Sequence, residues 1–323
     1  MKKILVLHTG GTISMYEDEE TGAVKPVGEN PLINKTKEIN KLADLIVEAP
    51  FNLPSPHITP NEMFQLKRRI DYHIKNSQID GVVITHGTDT LEETAYFLDL
   101  TVDTQIPIVV TGAMRSSNEI GTDGLYNFLT SVRTAIHNDA KNKGVLVVLN
   151  DEIHAAKNVT KTHTSNVSTF QSPQYGPIGI ITKKDILFHH LPTIERKLPV
   201  QSLCHRVELI KAYAGMDSSL FYALNNMGID GLVIEALGQG NLPPATIPGI
   251  QALLNRNIPI VLVSRCFNGI VEDIYGYEGG GAQLKQNGLI FSNGLNGQKA
   301  RIKLLLCLEI TKNQYEMEKL FHD

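Results

Sequence analysis

Short apolar, β-branched runs recur along this chain, and each is followed by enough residues for a helix before the next begins. Gly81 to Thr85, Pro107 to Thr111, Gly144 to Asn150, Gly231 to Glu235 and Pro259 to Ser264 are almost continuously apolar rather than alternating, the pattern of strands buried on both faces. Between them, residues 91–100, 123–137 and 245–255 carry apolar side chains at helical spacing. A strand buried on both faces needs cover on both, and a parallel neighbour needs a crossover connection. The pattern therefore predicts an α/β chain built on parallel sheet, with Ile4 to Leu7 as a further buried strand.

At 323 residues the chain is longer than one core usually serves, which favours two domains or one large one. Two halves have a weak internal counterpart. "IDGVVITHGTD" at 79–89 resembles "IDGLVIEALGQ" at 229–239, and "IPIVVTGAM" at 106 resembles "IPIVLVSRC" at 258. A repeated strand-helix-strand unit explains this, and so does the convergence of buried strands on Val, Ile and Gly; the residues do not separate the two. Periodicity lapses over 183–206, which contains Leu191-Pro192 and Leu198-Pro199, so that stretch reads as a connection. The expected organisation is an N-terminal catalytic α/β domain over 1–190, a linker over 191–205 and a C-terminal α/β domain over 206–323.

Several function classes are disfavoured. Lys plus Arg is 30 against 34 Asp plus Glu, and Lys67-Arg68-Arg69 and Lys183-Lys184 are short and isolated, so the basic stripe of a nucleic-acid binder is missing. Three cysteines at wide spacing, Cys204, Cys266 and Cys307, suit neither a disulfide framework nor a zinc site. The apolar run after Met1-Lys2-Lys3 stops at His8, too short for a signal peptide, and no run approaches a membrane span. A soluble cytoplasmic protein that binds neither membrane nor nucleic acid is expected. The 11 histidines contain no H-E-x-x-H pair, and the adjacent His189-His190 would point to opposite faces of a strand, so no metal site is expected.

In open parallel sheets ligands bind beyond the carboxyl ends of the strands, so the strand-end loops are where chemistry is sought. The first is Thr9-Gly10-Gly11-Thr12. Neither G-x-x-x-x-G-K-[ST] nor G-x-G-x-x-G can be written over residues 8–20, and no lysine follows until Lys25, which argues against a phosphate loop. What remains is the Thr12 hydroxyl held at the rim by bare backbone, which suits a nucleophile; a turn that merely needs glycine and threonine reads the same. The second loop, Thr85 to Thr90, ends a strand and precedes a helix, so Thr88 and Asp89 are either caps or a hydroxyl and a carboxylate able to hold an ammonium. The third, "NVTKTHTS" at 158–165, contains Lys161, which near Thr88 and Asp89 would be placed to accept a hydroxyl proton. No G-x-S-x-G elbow is present.

Taken together, "TGGTI" at 9–13 and "HGTDT" at 86–90 resemble the two signature segments of the bacterial-type L-asparaginases. "VTGAMRSS" at 110, "VTKTHTS" at 159, "SPQYGPIG" at 172, "GQGNL" at 238 and "NGQKARIKLLL" at 296 are similar to that family in the same order. The resemblance implies a larger N-terminal parallel-sheet domain with helices on both faces plus a smaller C-terminal α/β domain, and hydrolysis of L-asparagine without a cofactor. Glutaminase-asparaginase activity of broader range, and a non-catalytic amino-acid sensor, are the alternatives. It implies Thr12 as nucleophile, Thr88, Asp89 and Lys161 as a second triad, Ser55 and Asp89 as holders of the substrate α-carboxylate and α-amino group, and Gly11, Thr88 and Ala113 as lining of the amide pocket. Asn241 and Glu278 would be contributed by a neighbouring subunit, since the family assembles as tetramers of intimate dimers. The glycines would clear space for asparagine, and the acidic stretch after Thr12 would be a lid. One departure stands out. The family's lid tyrosine lies about ten residues past the nucleophile, where this chain reads "ETGAVKPV"; the nearby tyrosine is Tyr16, four residues after Thr12, and it becomes the candidate phenol. Pro56, beside Ser55, stands where some members carry a polar side chain.

Overall fold

Strand β1 (Lys3–His8) lies between β4 (Asp44–Glu48) and β5 (Gly81–Thr85), parallel to both, and the parallel run continues through β6 (Ile108–Thr111) and β7 (Val145–Leu149). The computed structural model describes residues 1–18, 20–26, 32 and 39–322. Among them the sheet has eight strands, extended past β7 by antiparallel β8 (Glu152–Ala155), β11 (Gly179–Ile181) and β12 (Ile186–Phe188). Two small antiparallel pairs stand apart: β2 (Met15–Glu17) with β3 (Val24–Pro26), and β9 (Thr160–Lys161) with β10 (Phe170–Gln171).

The continuous apolar runs take the predicted place because each strand is covered twice. Ile4 and Val6 of β1, Val83, Val109, Leu146 and Val148 form one core with Phe128, Val132 and Ala135 of α3 (Gly124–Ile136). By the two-residue period their neighbours Leu5, Leu7, Val82, Ile84 and Val110 face the other side, where α1 (Pro60–Asn76) and α2 (Leu91–Thr101) pack. Helix α1 is started by a capping box in which Thr59 and Glu62 satisfy each other's backbone ends, with Pro60 at its first position.

The chain divides into two compact units, Met1–Lys197 and Leu198–Asp323. The second has its own parallel sheet, β13 (Val207–Lys211), β14 (Gly231–Ala236), β15 (Ile260–Ser264) and β16 (Ile290–Phe291), in that order. Side chains from α4 (Ser219–Met227) and α5 (Ile247–Leu254) pack on it together with Leu284 of α6 (Gly281–Gln286), and α7 (Gly297–Leu308) contacts β13, β14 and β15. A final helix, α8 (Gln314–His322), contacts α7 and β16. The two similar sequence segments form the same unit, a strand, a helix and a neighbouring parallel strand: β5-α2-β6 and β14-α5-β15.

Two stretches carry structure that the sequence reading leaves undescribed. Residues 186–188, inside the region that lacks periodicity, form edge strand β12, too short to show a pattern. Residues 191–197 are bound to the first unit: the buried Glu195 pairs with Lys157 and accepts from Tyr96 Oη at 3.3 Å, and Lys197 reaches Asp99. No helix among the described residues is long and apolar enough to cross a membrane.

Candidate active site

The ends of β1, β5 and β6 converge, and backbone bonds carry the register past each strand. Thr9 N donates to Thr85 O at 3.1 Å, His86 N to Thr111 O at 2.8 Å, and Leu53 N to Thr9 O at 2.9 Å. The glycines answer this crowding. Gly10 and Gly11 have φ of 104° and 82°, and a Cβ on Gly11 would sit 2.2 Å from the Gly87 Cα. On Gly87 it would meet the Ser55 Oγ at 2.8 Å, and on Gly10 the Leu53 backbone at 2.5 Å. Their first task is thus loop-on-loop contact, not only clearance for a ligand. Thr12 and Thr88 each follow one of the two glycines that touch.

Ser55 opens a 3-10 turn, Ser55–His57, and its Oγ accepts from Asp89 N at 3.1 Å while its carbonyl accepts from Thr90 Oγ1 at 2.8 Å. Because the Ser55 oxygen is an acceptor there, its own O–H is left to donate elsewhere. Lys161 comes from β9, 73 residues beyond Thr88, and its Nζ donates to Thr88 Oγ1 at 2.9 Å and to Asp89 Oδ1 at 2.8 Å. Thr88 is buried, whereas the Asp89 side chain is 58% exposed, so its carboxylate holds the lysine and remains open to solvent. Gly11, Ser55, Thr88, Asp89 and Lys161 are therefore one connected set. Ala113 joins it through Gly112, where an added Cβ would meet His86 O at 2.6 Å and the Thr88 methyl at 3.2 Å.

Thr12 starts a 3-10 turn, Thr12–Ser14, and its half-buried hydroxyl is bonded to no other described residue. An uncommitted hydroxyl is free to meet a ligand, and as a nucleophile it would still need a base to take its proton. Tyr16 lies on β2 directly across from Lys25 of β3. Of the segment read as a lid, 17–22, Glu17 ends β2 and the described residues 18 and 20–22 lie between β2 and β3, while Glu19 lies outside the described residues. Asp18 organises this stretch by accepting from Thr21 N at 2.9 Å and pairing with Lys25 at 3.0 Å. The hairpin is tied down at one edge, since Glu17 N donates to Asn118 Oδ1 at 2.8 Å and Ser117 N to Met15 O at 3.0 Å. Met15 is buried and Tyr16 exposed.

Supporting groups surround the set. His86 is buried with Nδ1 2.8 Å from Gly87 O and Nε2 2.9 Å from Thr94 Oγ1. A carbonyl only accepts, so Nδ1 carries the proton and Thr94 donates to Nε2. Burial pushes its pKa down to about 4, against a smaller upward pull from the Gly87 carbonyl. His8, 2.8 Å from Thr85 Oγ1, is likewise pushed down to about 4 by burial. Asp123 accepts from Met114 N, Arg115 N and Asn127 Nδ2, which fixes the backbone that follows Ala113. Glu92, buried at the start of α2, accepts from Thr160 Oγ1 at 2.9 Å and Lys161 N at 3.3 Å.

In the second unit, Asn241 and Glu278 belong to two adjoining loops: Leu242 N donates to Gly279 O at 2.9 Å, and Gly281 N to Asn241 Oδ1 at 3.2 Å. Glu278 is exposed. Among the described residues no group of three or more His, Cys, Asp or Glu is placed to hold a metal ion.

Two family models match the chain, "Asparaginase, N-terminal" over residues 3–193 and "Glutaminase/Asparaginase C-terminal domain" over 206–321. The chain belongs to the asparaginase family. A probable L-asparaginase of Deinococcus radiodurans is 38% identical over 325 residues, covering 99% of this chain and 97% of that protein. The L-asparaginase of Bacillus licheniformis is 34% identical over 313 residues, 95% of each. The crystal structure of a probable cytoplasmic L-asparaginase from Campylobacter jejuni superposes with a TM-score of 0.88 at 32% identity, over 100% of both chains. Asparaginase-family membership covers both units, including the loops that hold Thr12, Thr88 and Lys161.

Proposed function

We propose that this chain hydrolyses L-asparagine to L-aspartate and ammonia through an ester on Thr12, with Thr88, Asp89 and Lys161 as its proton-handling group. The observation that carries the reading is Lys161 Nζ bonded to both Thr88 Oγ1 and Asp89 Oδ1, beside a loop that presents the uncommitted Thr12 hydroxyl. The Ser55 O–H donates to the substrate α-carboxylate, and Asp89 holds the α-ammonium by a charge-assisted bond. Thr12 Oγ1 attacks the side-chain amide carbon as its proton passes to the Thr88–Lys161 pair, with Lys161 acting as the free amine and then returning that proton to the leaving nitrogen, and backbone groups of Gly11, Thr88 and Ala113 line the amide pocket. The carbon–nitrogen bond breaks, the nitrogen takes up a proton and leaves as ammonia, and water then cleaves the ester to restore Thr12. In this reading Tyr16 supplies the lid phenol, and Asn241 and Glu278 complete the substrate site of a neighbouring subunit in a dimer or tetramer. The domains of this reading are 1–190 and 206–323, joined by 191–205, and the compartment is the cytoplasm.

The test is ammonia release by the purified wild-type protein and by Thr12→Ala, with asparagine and with glutamine. Release from asparagine by the wild type and none by the variant is expected. Equal rates on glutamine would shift the reading to a broader glutaminase-asparaginase, and no release from either amide by the wild type would overturn it in favour of a sensor.

A further inference from the structure

Lys161 rides on a strand of two residues that pairs with β10 alone and is no part of the eight-stranded sheet. Sheet register therefore does not fix where its side chain begins. A contact that spans from β9 to the helix behind Thr88 and Asp89 is made by Glu92, three residues after Asp89 and on the first turn of α2. Its carboxylate is buried and takes the Thr160 hydroxyl at 2.9 Å and the Lys161 backbone N–H at 3.3 Å, while the far end of the same lysine meets Thr88 and Asp89. One turn of chain, 88–92, thus holds Lys161 at both ends.

We infer that Glu92 is a positioning residue for the proton transfer: it sets the origin of the Lys161 side chain so that Nζ lands on Thr88 Oγ1. This rests on the reading of Lys161 as the proton carrier. A lysine has four side-chain torsions, and an error of about 1 Å at its backbone is enough to cost on the order of 100-fold in a geometry-dependent step. Glu92 does not touch the substrate site itself in this scheme, so its effect falls on turnover and not on affinity.

The experiment compares steady-state asparagine hydrolysis by Glu92→Ala, Glu92→Gln, Thr160→Val and Lys161→Met in the full-length protein. Glu92→Gln keeps an oxygen that accepts both bonds, so it should stay within about threefold of wild-type kcat, whereas Glu92→Ala should lose about tenfold or more in kcat with KM within about threefold. Thr160→Val removes the hydroxyl that donates to Glu92 and should lose about threefold in kcat, and it carries the test if Glu92→Ala does not fold. A Glu92→Ala variant with unchanged kcat, one that changes KM alone, or a Glu92→Gln variant that falls as far as the alanine would overturn the inference. For Thr160→Val the overturning result is unchanged kcat. An unchanged Lys161→Met variant would instead remove the proposed proton-handling group, a separate outcome.

Discussion

Gly11 shows how a single residue sets this site, because two loops meet there with no room for a side chain. Gly11→Ala combines a left-handed backbone with a Cβ 2.2 Å from the Gly87 Cα, and backbone atoms cannot swing aside as a flexible side chain would. The expected cost is about 3 kcal/mol, from left-handed strain and overpacking together, with loss of turnover; urea unfolding measures the first and ammonia release the second. A midpoint equal to wild type would mean that the loops do not touch in solution. Lys161→Met keeps the length of the side chain and removes the amine, so kcat should fall by on the order of 100-fold or more. A change in KM alone would make Lys161 a binding residue.

At the scale of elements, the β2–β3 hairpin changes how the missing lid tyrosine is understood. Tyr16 and Lys25 are directly opposed partners in an antiparallel pair, so their side chains lie on the same face, and a phenol at 16 projects from the strip to which position 25 also contributes. Tyr16→Phe removes one oxygen and keeps the ring; a kcat lowered by about tenfold or more supports the phenol's role, and unchanged kinetics leave activation to Thr88, Asp89 and Lys161. The elements themselves were unequally legible. Strands β1, β5, β6, β7, β14 and β15 announce themselves because burial on both faces demands unbroken apolar runs. Strands β8, β11 and β12 do not, since each is three or four residues long and β11 and β12 alternate buried with exposed positions. In the candidate site, Thr12, Thr88, Asp89 and Lys161 are read from loop motifs, and Ser55 only from the family resemblance. Glu92 escapes notice because an acid in the first turn of a helix is ordinary, and only the fold brings Thr160 and Lys161 onto it. The buried His8 likewise carries no spacing signal, and His86, although it opens the "HGTDT" segment, shows its burial only in the fold that closes over it.

For the whole molecule, those two histidines give stability a pH dependence whose sign is fixed. Both have folded pKa values near 4 against 6.5 in the unfolded chain, so between those limits the unfolded state binds more protons. Their contribution is present above pH 6.5 and is lost as the pH falls toward 4, by about 3 kcal/mol each at most. Urea midpoints at neutral pH and in this acidic window should differ accordingly, and histidine resonances that titrate near the free value would contradict it. Thr12 to Lys161 belong to the first unit and Asn241 with Glu278 to the second, and the proposed reaction turns on one hydroxyl, that of Thr12. The most direct measurement is therefore to quench the wild-type protein during turnover of asparagine and map any covalent adduct by peptide mass spectrometry. An aspartyl ester on Thr12 is the predicted result; an adduct on Thr88, or sustained ammonia release by Thr12→Ala with no adduct on any residue, would contradict it.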